Sequence, residues 1–322
     1  MPRFAAPTIV PVKPRAFAED VAYYLSLTPR QLPSRYLYDA LGSALFDAIC
    51  RLPWYPITRV EQALLARHAD QILSPDAGVS TLVELGPGSG SKLATLIASA
   101  HLDRPVTVHL VDVSADALDS ARRALGVAGV AGVVPHRATY EAGLADLAVG
   151  DRAAGRMLAL FLGSNLGNFD PPGADAFLGT VRAALTPGDR LLIGTDLVKS
   201  ERELLLAYDD PLGVTAAFNK NLLVRVNREL GADFDVAGFA HRAIWNPEAS
   251  RVEMHLVSAR AQRVRVPASN LDILFAAGET IWTESSYKYV PEQIVAMLER
   301  AAFVTVDQWT ADGFALTLAE AS

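Results

Sequence analysis

The chain has 322 residues, 51% hydrophobic and 20% charged, a globular composition with room for one large domain or two moderate ones. Its 29 Lys and Arg stand against 36 Asp and Glu, a net charge of -7 with no basic block and no basic run interleaved with aromatics, so no nucleic-acid partner is expected. A single cysteine excludes an internal disulfide framework. The six histidines show neither HxxxH nor HxH spacing, and no stretch approaches the roughly 18 apolar residues of a membrane span, so neither a metal site nor a membrane partner is expected.

Along the chain, the opening stretch MPRFAAPTIVPVKPRAF has its apolar residues broken by prolines before a signal-type core can form, which points to a cytoplasmic protein. From about 19 to 75, apolar residues recur at three- and four-residue spacing in AEDVAYYLSL, ALGSALFDAICRL and TRVEQALLARHADQIL, so a helical N-terminal region is expected over 1–75. Cys50, inside ALFDAIC, is expected to be a small buried hydrophobe. A different rhythm follows: STLVELG, SKLATLIASA, VTVHLVDVS, ADALDSARRAL, MLALFLG and DRLLIGTDLV alternate short β-branched runs with helical segments. That alternation implies an α/β domain with a mostly parallel sheet, whose ligands sit at the carboxyl ends of its strands.

After DLVK the rhythm changes. SERELLLAYDD and VTAAFNKNLLVRVNREL read as helices and SRVEMHLVSARAQRVRV as strand and turn, so an inserted α+β module is expected over 200–286. The helix PEQIVAMLERAAF and the strands VTVDQWT and FALTLAE then return the chain to the sheet begun at residue 80, giving a main domain over 76–199 and 287–322.

The segment VELGPGSGSK, residues 83 to 92, follows an expected strand and opens an expected helix. Its glycines allow a tight turn beneath a ligand at the helix N-terminus. A Walker A loop requires Ser or Thr after Lys92 and meets Leu93; a dinucleotide fingerprint requires glycine at 91 and meets Ser91, although Asp112 supplies an acid after the next strand. A tight turn with no ligand satisfies the same glycines. The remaining pattern, Glu84 followed by Gly86, Gly88 and Gly90, resembles motif I of the class I S-adenosylmethionine-dependent methyltransferases. That resemblance makes Asp112 a ribose-binding acid, and a carboxylate is suited to accept hydrogen bonds from two vicinal hydroxyls.

Longer stretches carry a more specific resemblance. YDALGSALFDAICRLPWYPITRVE at 38 to 61, ELGPGSGSK, FLGSNLGNF, AYDDPLGVTAAFNKNLL and FALTLA together resemble the histidine-specific Nα-methyltransferases of ergothioneine biosynthesis, which convert histidine to its trimethylated betaine, hercynine. The resemblance implies a Rossmann-like methyltransferase sheet with an inserted substrate-binding domain and S-adenosyl-L-methionine as cofactor. Carried over by position, it makes Gly86, Gly88, Lys92 and Asp112 cofactor contacts, with Thr139 and Tyr140 standing where the family often has Asp-Phe beside the adenine. It makes Tyr38, Tyr55, Asn168 and Tyr208 the grip on the amino acid's amine and carboxylate, with Tyr55 and Asn168 nearest the reacting nitrogen. Thr215, Phe218 and Met254 line the pocket, and Glu284 with Ser286 holds the imidazole.

Those residue types suit the task. Methyl transfer needs a lone pair on the nitrogen, so phenol and amide groups can hold the amine without a full countercharge. Imidazole offers one N–H and one acceptor nitrogen, which a glutamate and a hydroxyl read together. Each residue also has a structural alternative: core packing for Tyr38, Tyr55 and Met254, a turn for Asn168, and a solvated strand face for Glu284 and Ser286, with Ser285 pointing the other way. The segment WYP stands where the family has EYYP, which keeps open a relative acting on tryptophan, tyrosine or another amine. A non-catalytic binding module for S-adenosylmethionine or an amino acid is the alternative of another class. A monomer acting on a small amino acid is expected.

Overall fold

The computed structural model describes residues 17–102, 105–149 and 155–322, so most of the proline-broken opening stretch lies outside the described residues. The chain begins with α1 (Phe17–Ser26), β1 (Arg30–Gln31), α2 (Ala40–Ile49) and α3 (Ile57–Ile72). There follow β2 (Val79–Leu85), α4 (Ser91–Ser99), β3 (Thr107–Asp112), α5 (Ala115–Val127), β4 (Gly132–Arg137), α6 (Tyr140–Val149), β5 (Arg156–Phe161), α7 (Pro171–Ala184) and β6 (Arg190–Asp196). The next stretch holds α8 (Glu201–Tyr208), α9 (Val214–Leu230), β7 (Phe239–Asn246), β8 (Arg251–Ser258), β9 (Gln262–Val266), β10 (Leu271–Phe275) and β11 (Thr280–Tyr287). The chain closes with α10 (Pro291–Arg300), β12 (Phe303–Ala311) and β13 (Phe314–Ala321). These elements form two compact units.

One unit comprises residues 57–167, 171–198 and 288–322. Its seven-stranded sheet has the order β12-β13-β6-β5-β2-β3-β4. The five strands from β6 to β4 are parallel, whereas β13 runs antiparallel to both β6 and β12. β2 lies between β5 and β3, and in VSTLVEL only Ser80 escapes full burial, as befits a parallel strand covered on both faces. Helices α3, α4 and α5 pack in one row, and α6, α7 and α10 in another. α5 starts where Ser114 Oγ accepts the Ala117 N–H at 3.3 Å, an ordinary N-cap. β4 is an edge strand with most of its residues exposed; GVVPHR has no apolar run and carries a proline, so the sequence does not announce it.

The other unit comprises 1–56, 168–170 and 199–287. Its main sheet has the order β1-β11-β8-β7, with β1 parallel to β11 and the remaining pairs antiparallel; β9 and β10 form a separate hairpin. Helices α8 and α9 pack on β7 and β8, and α2 packs on α9. α8 begins with a capping box, Ser200 Oγ accepting the Glu203 N–H while Glu203 Oε2 accepts the Ser200 N–H. The helical pattern of the N-terminal region conceals β1, which is only two residues long yet gives the sheet its fourth strand. Cys50 differs from expectation: it caps the C-terminus of α2 and is only half-buried.

Candidate active site

In the first unit, the expected cofactor residues follow the carboxyl ends of β2, β3 and β4. β2 ends at Leu85, and Gly86 enters the loop at φ 72°, its N–H donating to Val111 O at 2.9 Å. A Cβ on Gly86 would lie 2.7 Å from Tyr140 Oη, so a side chain there would displace the phenol as well as strain the left-handed backbone, and Asn165 Nδ2 lies within contact at 3.4 Å. A Cβ on Gly90 would strike the Ala121 backbone of α5 at 2.5 Å, which makes that glycine a packing residue. Gly88 has nothing within 4 Å of its Cβ position and faces open space.

Asp112 ends β3, and its Oδ1 accepts the Ser114 N–H at 2.8 Å. Burial raises its carboxyl, with the backbone N–H groups of Ser114 and Val113 opposing that shift. Tyr140 opens α6, packed edge-on against Phe161 and Phe177 at 5.5 and 6.0 Å, and burial raises its phenol above the usual range. Thr139 is exposed, and its Oγ1 accepts the Ala142 N–H at 3.3 Å, so it caps α6. Lys92 Nζ lies 2.6 Å from Glu61 Oε2, and both Glu61 oxygens also accept the Gly163 N–H, at 2.8 and 2.9 Å. Lys92 is therefore tied through α3 to the loop after β5.

Glu84, the acid of the glycine motif, is 1% exposed, and its Oε2 has no hydrogen-bond partner among the described residues. Burial pushes its carboxyl up to about 8; Lys92 opposes the shift, and Glu61 and Asp112 add to it. Two residues of this half, Glu61 and Asn165, were not singled out from sequence. Asn165 had an available signal: GSNLGN stands at the end of β5, the strand beside β2 where the strand order of the sheet reverses, and ligands of open α/β sheets bind at that reversal.

In the second unit, Tyr208 ends α8 and its Oη donates to Ser286 Oγ at 2.8 Å. Ser286 pairs with Val252 and Glu284 with Met254, which places Glu284, Ser286 and Met254 on one face of the sheet. Glu284 is 7% exposed and Ser286 5%, so the solvated-face alternative does not hold. Ser285, paired with Glu253, occupies the opposite face, as expected.

The aromatic residues form a row. Tyr55 lies 6.4 Å from Tyr208 and 6.3 Å from Phe46, while Phe46 and Tyr38 lie 5.9 and 5.5 Å from Phe218. Phe46 was not singled out from sequence, where it read as one apolar residue of α2. Tyr38 is the exposed end of the row, whereas Tyr55, Tyr208 and Phe218 are buried. Thr215 stands buried in the first turn of α9, and its N–H donates to Asp210 Oδ2 at 2.7 Å. Asn168 is half-buried at the end of the short 3-10 turn Asn165–Asn168, in a separate segment of this unit.

Behind Tyr208, His241 Nε2 donates to the Tyr208 carbonyl at 2.8 Å, and its Nδ1 accepts from Asn219 Nδ2 at 2.9 Å. Those two bonds fit one neutral tautomer, and burial lowers the imidazole's pKa in the same sense. Among the described residues no cluster of three or more His, Cys, Asp or Glu side chains could hold a metal ion, and no helix is long and apolar enough to cross a membrane.

The dinucleotide-binding fold carries its sixth strand parallel and beside the fifth, whereas here an antiparallel strand lies between β6 and β12. The open glycine loop at Gly88 and the acid Asp112 at the end of β3 suit a nucleoside bearing an amino-acid tail, and with this sheet they define a class I S-adenosylmethionine-dependent methyltransferase. The sequence model described as "Histidine-specific methyltransferase, SAM-dependent" matches residues 17–321, and the chain belongs to that family. It is 43% identical to a histidine N-alpha-methyltransferase of Mycolicibacterium smegmatis, over 94% of each chain. It is 40% identical to the protein of the same name from Mycobacterium tuberculosis, again over 94% of each. Ergothioneine biosynthesis protein 1 of Neurospora crassa is 28% identical over 88% of this chain and 32% of its own length.

Proposed function

We propose that this protein methylates the α-amino nitrogen of L-histidine three times in succession, forming hercynine for ergothioneine biosynthesis, and that it does so in the cytoplasm as a monomer. The observation that carries the choice of substrate is the buried pair Glu284 and Ser286 on the sheet face of Met254, with Tyr208 Oη donating to Ser286 Oγ from α8. A carboxylate and a hydroxyl on one strand face match the N–H and the acceptor nitrogen of an imidazole. The names of the two mycobacterial relatives support the same substrate, and that of the Neurospora protein supports the same pathway.

Bound S-adenosylmethionine supplies an electrophilic methyl group on its sulfonium. The Gly86–Gly88 loop and Asn165 receive its tail, Asp112 accepts from the ribose hydroxyls, and Thr139 and Tyr140 border the adenine. Lys92 steadies the loop through Glu61. Tyr38, Tyr55, Asn168 and Tyr208 hold the amine and carboxylate of histidine, and the absence of a carboxylate from that set leaves the amine free to lose its proton to water. Thr215, Phe218 and Met254 shape the pocket; Glu284 accepts the imidazole N–H, and Ser286 meets the other ring nitrogen. The rate gain is one of alignment and exclusion of water, with no covalent enzyme intermediate.

The test is incubation of the purified protein with S-adenosylmethionine and a mixture of the proteinogenic amino acids, followed by mass spectrometry. Histidine gaining three methyl groups is the expected result. Product on tryptophan, tyrosine or another amine instead would overturn the substrate, and no product from any amine would point to a binding module.

A further inference from the structure

Strand β11 contains an irregularity next to the imidazole clamp. Trp282 pairs with His255 on β8, but Glu284 pairs with Met254, so Thr283 is an extra residue with no partner of its own. Side chains alternate along a strand, so Trp282 and Glu284 would ordinarily share a face. The inserted residue reverses that, because a one-residue slip moves every later side chain to the opposite face. Trp282 lies on the face of His255 and Glu253, and Glu284 on that of Met254 and Ser286.

Two side-chain bonds pin the bulge. Trp282 Nε1 donates to the Glu284 carbonyl at 2.9 Å, and Thr283 Oγ1 donates to the Met254 carbonyl, also at 2.9 Å; both are buried. The indole plane is itself held: the Arg251 guanidinium lies 4.5 Å from the Trp282 ring, and the His255 ring stacks near it at 5.8 Å with an interplanar angle of 25°. Glu253 ties those two together, accepting from Arg251 Nε at 2.8 Å and lying 3.1 Å from His255 Nε2. Arg251 Nη1 further donates to Tyr287 Oη at 2.8 Å, at the far end of β11. Side chains reaching across the sheet thus brace the bulge from the face opposite the clamp.

We propose that Trp282 and Thr283 are positioning residues for substrate recognition: by locking the β11 bulge they turn Glu284 onto the substrate face and fix its backbone. This rests on the assignment of Glu284 to the imidazole. Neither residue touches the substrate, and their effect passes through Glu284 alone.

The experiment measures histidine KM, kcat and S-adenosylhomocysteine affinity for Trp282→Phe and Thr283→Val, each alone and combined with Glu284→Ala. Trp282→Phe removes the indole donor and keeps an aromatic ring; losing one such hydrogen bond raises histidine KM about three- to tenfold. Cofactor affinity and kcat stay at the wild-type values, and in the Glu284→Ala background the same change has no further effect. Thr283→Val, which is nearly isosteric, gives the same pattern and carries the test if Trp282→Phe does not fold. Unchanged KM in both variants while Glu284→Ala raises it would overturn the positioning role and leave the clamp standing. An equal rise with and without Glu284 would reduce the bulge to a structural feature. No effect of Glu284→Ala itself would remove the clamp and this proposal together.

Discussion

The phenol of Tyr208 and the hydroxyl of Ser286 share a 2.8 Å hydrogen bond across 78 residues of sequence, joining the end of α8 to β11, the last strand of the same unit. One group assigned to the amino-acid end of the substrate thereby supports one assigned to the imidazole. Tyr208→Phe removes that bond and keeps the ring beside Tyr55. Histidine KM should rise about three- to tenfold, with cofactor affinity unchanged. Steady-state kinetics together with calorimetric titration of S-adenosylhomocysteine checks it; a parallel loss of cofactor affinity would contradict the separation of roles.

Asp112 should control cofactor binding and its pH dependence. Asp112→Asn replaces a double acceptor by a group with only one acceptor atom, weakening S-adenosylhomocysteine about ten- to a hundredfold as expected for hydrogen bonds to a charged group. Burial raises the Asp112 carboxyl, so the wild-type acceptor is lost on acidification sooner than an exposed aspartate would be. Affinity should therefore be full at alkaline pH and fall as pH drops through that raised pKa. The asparagine variant should lack this dependence.

Glu84 should impose the opposite slope on stability. Its carboxyl titrates near 8 when folded, against 4.5 as the ordinary value, so the folded protein retains a proton that the unfolded chain has released. The resulting stabilisation is complete below 4.5 and is lost as pH rises through about 8. Denaturation of wild type and Glu84→Gln side by side should show the wild type losing stability relative to the variant across that window. Parallel curves would show that Glu84 is ionised in the folded state.

Glu61 connects Lys92 to the Gly163 N–H, and its side chain is fully buried. Glu61→Ala leaves a largely buried ammonium and a backbone donor without their acceptor, and should destabilise the protein by about 3 kcal/mol. Urea titration measures this. Cofactor affinity should fall as well, because the loop carrying Asn165 loses its tie to α3.

The alternation of β2, β3, β5 and β6 with helices was legible because buried parallel strands are written as short apolar runs, and the residues that cover them as helical repeats. β4 and β7 were not. GVVPHR and FAHRAIWN are partly exposed, so neither run nor clean alternation marks them. The glycine loop was legible as a turn near a ligand, yet the different tasks of Gly86, Gly88 and Gly90 depend on Tyr140, Asn165 and Ala121, all distant in sequence. The resemblance gave Lys92 a cofactor role; its pairing with Glu61 had no local sign.

The sequence by itself determined the α/β class, the glycine turn, the acid at the end of β3 and, through its long collinear resemblance, the family. These depend on spacing within a few residues or on residue order, which need no knowledge of what lies across the chain. Only the tertiary structure decided which face Glu284 occupies, that Tyr208 meets Ser286, and that Glu84 is buried beside Glu61 and Lys92. Those outcomes depend on strand register and on which elements lie side by side, and a single extra residue, Thr283, is enough to reverse the face of every side chain that follows it.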